Sequence, residues 1–220
     1  MNLLRNTGLT LWLLLEKVDL VAQALFKVFT RNPIAQGAAG QLLDSIVCNI
    51  FARGGVWKIR EMEMSGRSGK HNRHWKILPP STYVHKYLIV GQPNDPLLIS
   101  GTCPPEDIVF QPIKTHILPS TDRVTLCTGY YLPASRTEAT FDSFYYEAEM
   151  KQATILQLTV SKRHSMKKKG LKRLKDLGVE SVRYIAVTGP QNDFDLPVPN
   201  EYSDSEFLKD KYHLVLNSLT

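Results

Sequence analysis

Cysteine is scarce in this 220-residue chain: Cys48, Cys103 and Cys127 are far apart, odd in number and without CxxC spacing. That pattern excludes a disulfide framework and a zinc site built on paired thiolates, and a reducing compartment is the simplest inference. Nothing matches GxxxxGK[ST] or GxGxxG at a strand-to-helix junction, so a P-loop or dinucleotide site is excluded as well. Long apolar runs are missing. LTLWLLL at the N-terminus meets Glu16, Lys17 and Asp19 before it could span a bilayer, and no small-residue cleavage site follows it. Leu11, Leu14, Leu15, Val18, Val21 and Leu25 recur instead at helical spacing, which predicts an amphipathic helix docked on a core. Internal repeats and low-complexity tracts are absent.

What is present suits a globular chain of one domain, or one and a small appendage, with 43% hydrophobic and 22% charged residues. The net charge is +6, and its placement matters more than its size. Lys162, Arg163, Lys167, Lys168, Lys169, Lys172, Arg173 and Lys175 crowd into fourteen residues. Such a run can neutralise backbone phosphates, the main source of nonspecific nucleic-acid affinity. It can equally be the solvated face of a helix that packs Leu171, Leu174 and Leu177 inward, or a nuclear import signal.

The patterning predicts helices over 8–30 and 36–52, ended by Gly54 and Gly55, then a strand over 56–62. SGRSGKHNRH (65–74) reads as a mobile basic loop that could reach a nucleic-acid backbone. His71 and His74 lie in it, three apart, but with no neighbouring carboxylate or cysteine the loop reading outweighs a metal site. Between 79 and 122, PP, QPND and CPPED break up short apolar runs such as YLIV and PLLI, which predicts strands decorating a sheet. RVTLCTGYYL (123–132) and SVRYIAVTG (181–189) read as core strands, the second in parallel pairing after a crossover helix. Residues 191–206 read as a loop, and FLKDKYHLVLNS as a closing helix.

Residues 140–171, TFDSFYYEAEMKQATILQLTVSKRHSMKKKGL, carry the chemistry. Asp142 stands in one β-prone run, and Gln157 and Thr159 in another. On a strand, residues two apart share a face, so Gln157 and Thr159 point one way and Leu156, Leu158 and Val160 the other. A polar pair on a strand built for burial calls for a function.

The FDSF strand, the QLTVSKRH strand and the GL-bearing helix together resemble the PD-(D/E)XK nuclease core, in the version carried by Crinkler effectors and retrotransposon hot spot proteins. Upstream, NPIAQGAAG followed by Asp44 is similar to the helix preceding the nuclease sheet in that group. The resemblance covers roughly residues 25–190. It implies an α/β fold with a restriction-endonuclease-like core, a central mixed sheet flanked by helices, with N-terminal helices and a strand-rich insertion. Residues 1–35 would be a helical segment packed on a nuclease domain of residues 36–220. Asp44, Asp142 and Gln157 would hold Mg²⁺ or Mn²⁺, and Thr159 takes the place of the motif's lysine. A neutral hydroxyl cannot supply the positive charge that stabilises the phosphorane, so the resemblance leaves catalysis open. His164 falls on the family's histidine, able to touch a phosphate or carry a proton, or simply to pack at a strand-to-helix junction.

Asp142, Glu149 and Lys151 also spell D-x6-E-x-K, which would restore a lysine. EAEMKQ, however, is best suited to the turn between two strands, and six residues scarcely allow Glu149 to return beside Asp142, so Gln157 and Thr159 are preferred. Lys162 or Lys168 could reach the empty lysine position from the following turn.

These readings predict a metal-dependent, DNA-binding nuclease-like effector domain, acting in the nucleus or otherwise cytoplasmic, with DNA or a P-loop NTPase module or other protein as partner, and no membrane span. The alternative is a catalytically degenerate module that binds nucleic acid or protein. Lys162, Arg163, Lys167, Lys168, Lys169, Lys172 and Arg173 are the predicted DNA contacts.

Overall fold

The computed structural model describes residues 51–68, 72–77, 85–93, 95–105, 109–120, 124–134, 140–189 and 193–216. The predicted helix over 8–30, nearly all of that over 36–52, and with them Asp44, His71 and the 1–35 boundary, lie outside these residues. Residues 51–53 are helical.

Eleven strands form one mixed sheet: β1 (Gly55–Ser68), β2 (Asn72–Ile77), β3 (Lys86–Val90), β4 (Leu97–Ser100), β5 (Thr115–Leu118), β6 (Gly129–Pro133), β7 (Ser143–Glu147), β8 (Gln152–Thr159), β9 (Ser181–Thr188), β10 (Asp195–Pro199) and β11 (Leu208–Val215). Their order is β10-β2-β1-β11-β9-β8-β7-β6-β5. Residues 55–59 of β1 also pair with β3, which carries β4. Two further helices are described, α1 (Lys168–Asp176) and the four-residue α2 (Asn200–Ser203). The described residues are therefore mostly sheet with few helices; α1 packs on one face, and the helical residues 51–53 reach the other through Phe51.

β7 and β8 are a hairpin closed at residues 148–151, where Lys151 takes φ +46° and its amine meets Glu180 at 2.6 Å. EAEMKQ is thus the predicted turn. From β8 the chain crosses through α1 into β9, which pairs in parallel with β8 along its whole length. All eight residues of β8 are buried. Ala153 and Ile155 join Val182, Tyr184, Leu171, Leu174 and Leu177 in one core under α1, while Leu156 and Leu158 join Ile185, Val187, Leu214 and Phe51 in a second core on the opposite face. A strand covered on both faces loses the simple apolar-polar alternation, as QATILQLT does.

Four expected elements differ. FLKDKYHLVLNS contains β11, a strand parallel to β9 and antiparallel to β1, rather than a helix. Its apolar residues gain more between two waiting strands than a helix docked outside the sheet could bury, and propensity gives way to tertiary pairing. DLPVP in the expected 191–206 loop is β10, paired with β2, and NEYS is α2. The other edge of β10 is covered by the 162–166 segment, where His164 and Met166 N–H groups donate to Asp195 O and Pro197 O and the Asp195 N–H donates to Lys162 O, so Pro197 serves there as an acceptor. The expected loop at 65–74 is largely hairpin: β1 runs to Ser68 and β2 begins at Asn72. The core strand expected from residue 123 begins only at Gly129. Among the described residues no helix is long and apolar enough to cross a membrane.

Candidate functional site

Asp142 stands just before β7, where its backbone N–H donates to Leu156 O at 3.0 Å and holds the carboxyl beside β8. Asp142 Oδ2 accepts from Gln157 Nε2 and from the Leu158 backbone N–H, both at 2.6 Å. The acid and the amide predicted to work together therefore touch. Gln157 is 5% exposed, and its Oε1 is buried without a hydrogen-bond partner among the described residues.

The register extends this site across the sheet. Gln157 pairs with Ala186, Ala186 with His213, and His213 with Arg60, so these side chains share the α1 face in one row. One row along, Ile155 pairs with Tyr184, and on the other side Thr159 pairs with Thr188. Tyr184 is fully buried, and burial, then the charge of Asp142, pushes its phenol well above the ordinary value. Its hydroxyl and His213 Nδ1 are also without partners among the described residues. His213 Nε2 lies 2.9 Å from Thr188 Oγ1, and its ring stacks on Phe194 at 5.5 Å. Burial, with Arg60 adding, lowers His213 to about 4, so its imidazole is neutral at pH 7. Three polar atoms without a hydrogen-bond partner among the described residues, Gln157 Oε1, the Tyr184 hydroxyl and His213 Nδ1, border that row. Such atoms cost free energy when dry, and here they lie within the apolar core under α1.

The remaining predicted residues are placed as follows. Thr159 is 8% exposed, and its Oγ1 accepts from the Ser161 N–H at 3.1 Å, so the hydroxyl is turned to its own bend. His164 follows that bend, its N–H donating to Asp195 O at 3.1 Å. Burial, then Lys167, pulls its imidazole below the ordinary value, so it too is neutral near pH 7. His74, from the predicted basic loop, clasps Asp195 through Nδ1 at 2.8 and 2.9 Å.

The basic run is divided. Lys162, Lys167, Lys169 and Lys172 are exposed. Lys168 pairs with Glu201 at 2.6 Å, Arg163 lies 3.3 Å from Asp195, and Arg173 donates to Pro119 O at 2.5 Å. Arg173 is thus a strut between α1 and the 119–120 segment as well as a charge. Glu149 is exposed in the β7–β8 turn, whereas Gln157 is at Asp142.

Magnesium takes oxygen ligands and needs only one or two protein carboxylates, with waters and substrate phosphates completing its shell. The Asp142 carboxylate and the unsatisfied Gln157 Oε1 fit that chemistry. Among the described residues no group of three or more His, Cys, Asp and Glu converges, so most of the shell would come from water and phosphate, or from Asp44 outside them.

Comparison with protein families, with curated proteins and with solved structures gives no match. The site therefore stands on its own geometry.

Tyr184, Thr188 and His213 escaped the sequence reading. Tyr184, Ala186 and Thr188 alternate within SVRYIAVT, and a parity match to Gln157 and Thr159 of the neighbouring strand would have found them. His213 was hidden because its segment read as a helix.

Proposed function

We propose that this is a nuclease-like domain of PD-(D/E)XK type, with a restriction-endonuclease-like core, that binds DNA and cuts it with Mg²⁺ or Mn²⁺. The observation that carries the reading is the 2.6 Å contact between Asp142 and Gln157 at the head of the β7–β8–α1–β9 unit, beside a buried amide oxygen without a partner. Asp142 and Gln157 Oε1 would hold the ion. When bound, the ion supplies a lowered pKa for attacking water and neutralises charge at the scissile phosphate. His164, neutral and within the segment that follows β8, is able to accept a proton at a ring nitrogen. Lys162, Lys167, Lys169 and Lys172 present cations to the DNA backbone.

The α1 first turn favours an anionic partner. It carries Lys168 and Lys169, no acid, and no side-chain cap. Cations there oppose the helix dipole by about 0.3–1 kcal/mol each, a cost that a bound phosphate would offset.

A second reading, a degenerate module that binds nucleic acid without cutting it, is favoured by Thr159, whose hydroxyl is spent on Ser161 and carries no charge. One series of variants separates the two. Lys167, Lys169 and Lys172 changed together to Ala should weaken DNA binding and flatten its salt dependence by about 0.9 per lost phosphate contact. Asp142→Ala should abolish Mg²⁺-dependent nicking while leaving affinity, and Thr159→Lys should raise nicking. Binding without cleavage by wild type or Thr159→Lys would select the degenerate module. Affinity indifferent to salt and to the three lysines would remove both.

A further inference from the structure

Two strands from Asp142 in the sheet order, at the edge of the described sheet formed by β5, His116 meets Cys127 of the segment leading into β6. Cys127 Sγ lies 3.6 Å from His116 Nε2. The thiol is exposed.

Three features hold this pair. The His116 ring stacks on Tyr131 at 4.9 Å and 18°, and Tyr131 stacks in turn on Phe144 at 5.0 Å and 6°. Phe144 is fully buried, so the imidazole is the outer plate of a stack anchored in the core. The Tyr131 hydroxyl clamps the cysteine from the other side. It accepts from the Cys127 N–H at 2.9 Å, donates to Cys127 O at 3.0 Å, and lies 3.4 Å from Sγ. Finally, a Cβ at Gly129 would sit 2.7 and 2.8 Å from Cδ2 and Nε2 of His116, so only glycine lets the imidazole lie against the backbone beside the thiol. Burial, then the hydrogen bond to Cys127, pushes Tyr131 up to about 12. The phenol therefore keeps its proton and serves as a fixed clamp, and the base within reach of Sγ is His116.

We propose that Cys127 is a site of reversible S-thiolation, with His116 as its base and a low-molecular-weight disulfide as its reagent. The thiol is exposed with an imidazole nitrogen 3.6 Å away, and disulfide exchange needs a route for the thiol proton and access for the reagent. His116 Nε2 takes the thiol proton as Sγ attacks one sulfur of the reagent. The Cys127 S–S bond forms while the reagent's S–S bond breaks, and the departing thiolate recovers the proton from the imidazolium. Cys127 is oxidised to a mixed disulfide and the reagent is the oxidant, leaving as one thiol; a free thiol reverses the step.

Cys103, also exposed, is the internal control. Two single-cysteine proteins, Cys48→Ser with Cys103→Ser and Cys48→Ser with Cys127→Ser, are incubated with glutathione disulfide, and the mass increase is followed with time. Cys127 should react at least about 10-fold faster than Cys103, a threshold set below the roughly 100-fold at which a positioned base's contribution begins. His116→Phe, which keeps a ring for the stack, and His116→Gln, which keeps a polar side chain without its basicity, should both bring Cys127 down to the rate of Cys103. Circular dichroism reports the fold of each. Equal rates at the two cysteines overturn the proposal, and this comparison requires no change at His116. A fast rate surviving in either His116 variant overturns the role of the imidazole.

Discussion

Lys211 is 4% exposed, its amine 4.0 Å from the Trp75 ring centroid and 3.0 Å from Leu208 O, to which it donates. Burial pulls it from 10.5 down to about 8, with Asp210 and Asp204 opposing. Between those two values the unfolded chain holds a proton that the folded one has released, so stability is lower below about 8 and rises with pH toward 10.5. The full shift corresponds to about 3 kcal/mol. Above pH 10 the rise is opposed by Tyr131 and Tyr145, which burial pushes up to about 12, because their phenols ionise first in the unfolded chain. Urea denaturation should therefore show stability increasing from pH 7.5 to 9.5, and Lys211→Met should flatten that rise and gain about 1–3 kcal/mol at pH 7. A flat wild-type profile over that range would contradict the assignment. Nothing in the sequence distinguishes Lys211 from Lys209, an exposed neighbour on the same strand, since only the position of Trp75 decides which amine is covered. Gln157 and Thr159 were legible for the opposite reason: two polar residues alternating with Leu156, Leu158 and Val160 on one strand are a local signal.

α1 shows how an element is positioned by one residue. A Cβ at Gly170 would meet Thr140 Cβ at 2.4 Å and Oγ1 at 2.5 Å, and Thr140 donates from that hydroxyl to Lys167 O. The helix thus rides directly on the chain entering β7, which keeps its basic first turn close to the Asp142 segment. Gly170→Ala has better helix propensity by about 1 kcal/mol, but the contact is with a Cβ fixed by backbone rather than a flexible tip. The variant should lose about 1–3 kcal/mol net, read as a lower melting temperature, and Thr140→Gly should relieve part of that loss. A Gly170→Ala protein as stable as wild type would mean that α1 can shift away at no cost. The hairpin, the turn at EAEMKQ, the crossover helix and β9 were all legible because each follows from short-range period, turn residues and connection length. β11 was not. LKDKYHLV is buried at Leu208 and over Lys211–Leu214, a pattern neither strictly alternating nor helical, and a fully covered strand cannot be told from a buried helix by period alone.

In the whole molecule the last strand is an interior one. β11 lies between β9, parallel to it, and β1, antiparallel to it, so the first and last described strands are neighbours. A chain truncated after Glu206 would leave β1 and β9 with unpaired edges and both cores open where Leu208, Tyr212 and Leu214 now close them. Such a protein should lose cooperative thermal unfolding, by calorimetry, rather than merely melt lower. A cooperative transition in the truncated chain would show that β11 is an addition to a self-sufficient sheet. The edges of the described sheet differ: β10 is covered by the 162–166 segment and carries Pro197 and Pro199, while β5 exposes Ile117 at 64%.

By itself the sequence determined the sparse, widely spaced cysteines, the lack of a GxxxxGK[ST] pattern and of a long apolar run, the concentration of positive charge in residues 162–175, and the shared face of Gln157 and Thr159. These depend on counts, local period and turn chemistry, which act over a few residues. Only the tertiary structure decided that Asp142 touches Gln157, that Ala186 and His213 continue their row, that part of the basic run is spent on Glu201, Asp195 and Pro119 O, and that His116 reaches Cys127. Each of those pairings depends on strand order and register, which are chosen by burial across the whole sheet and so leave no short-range trace.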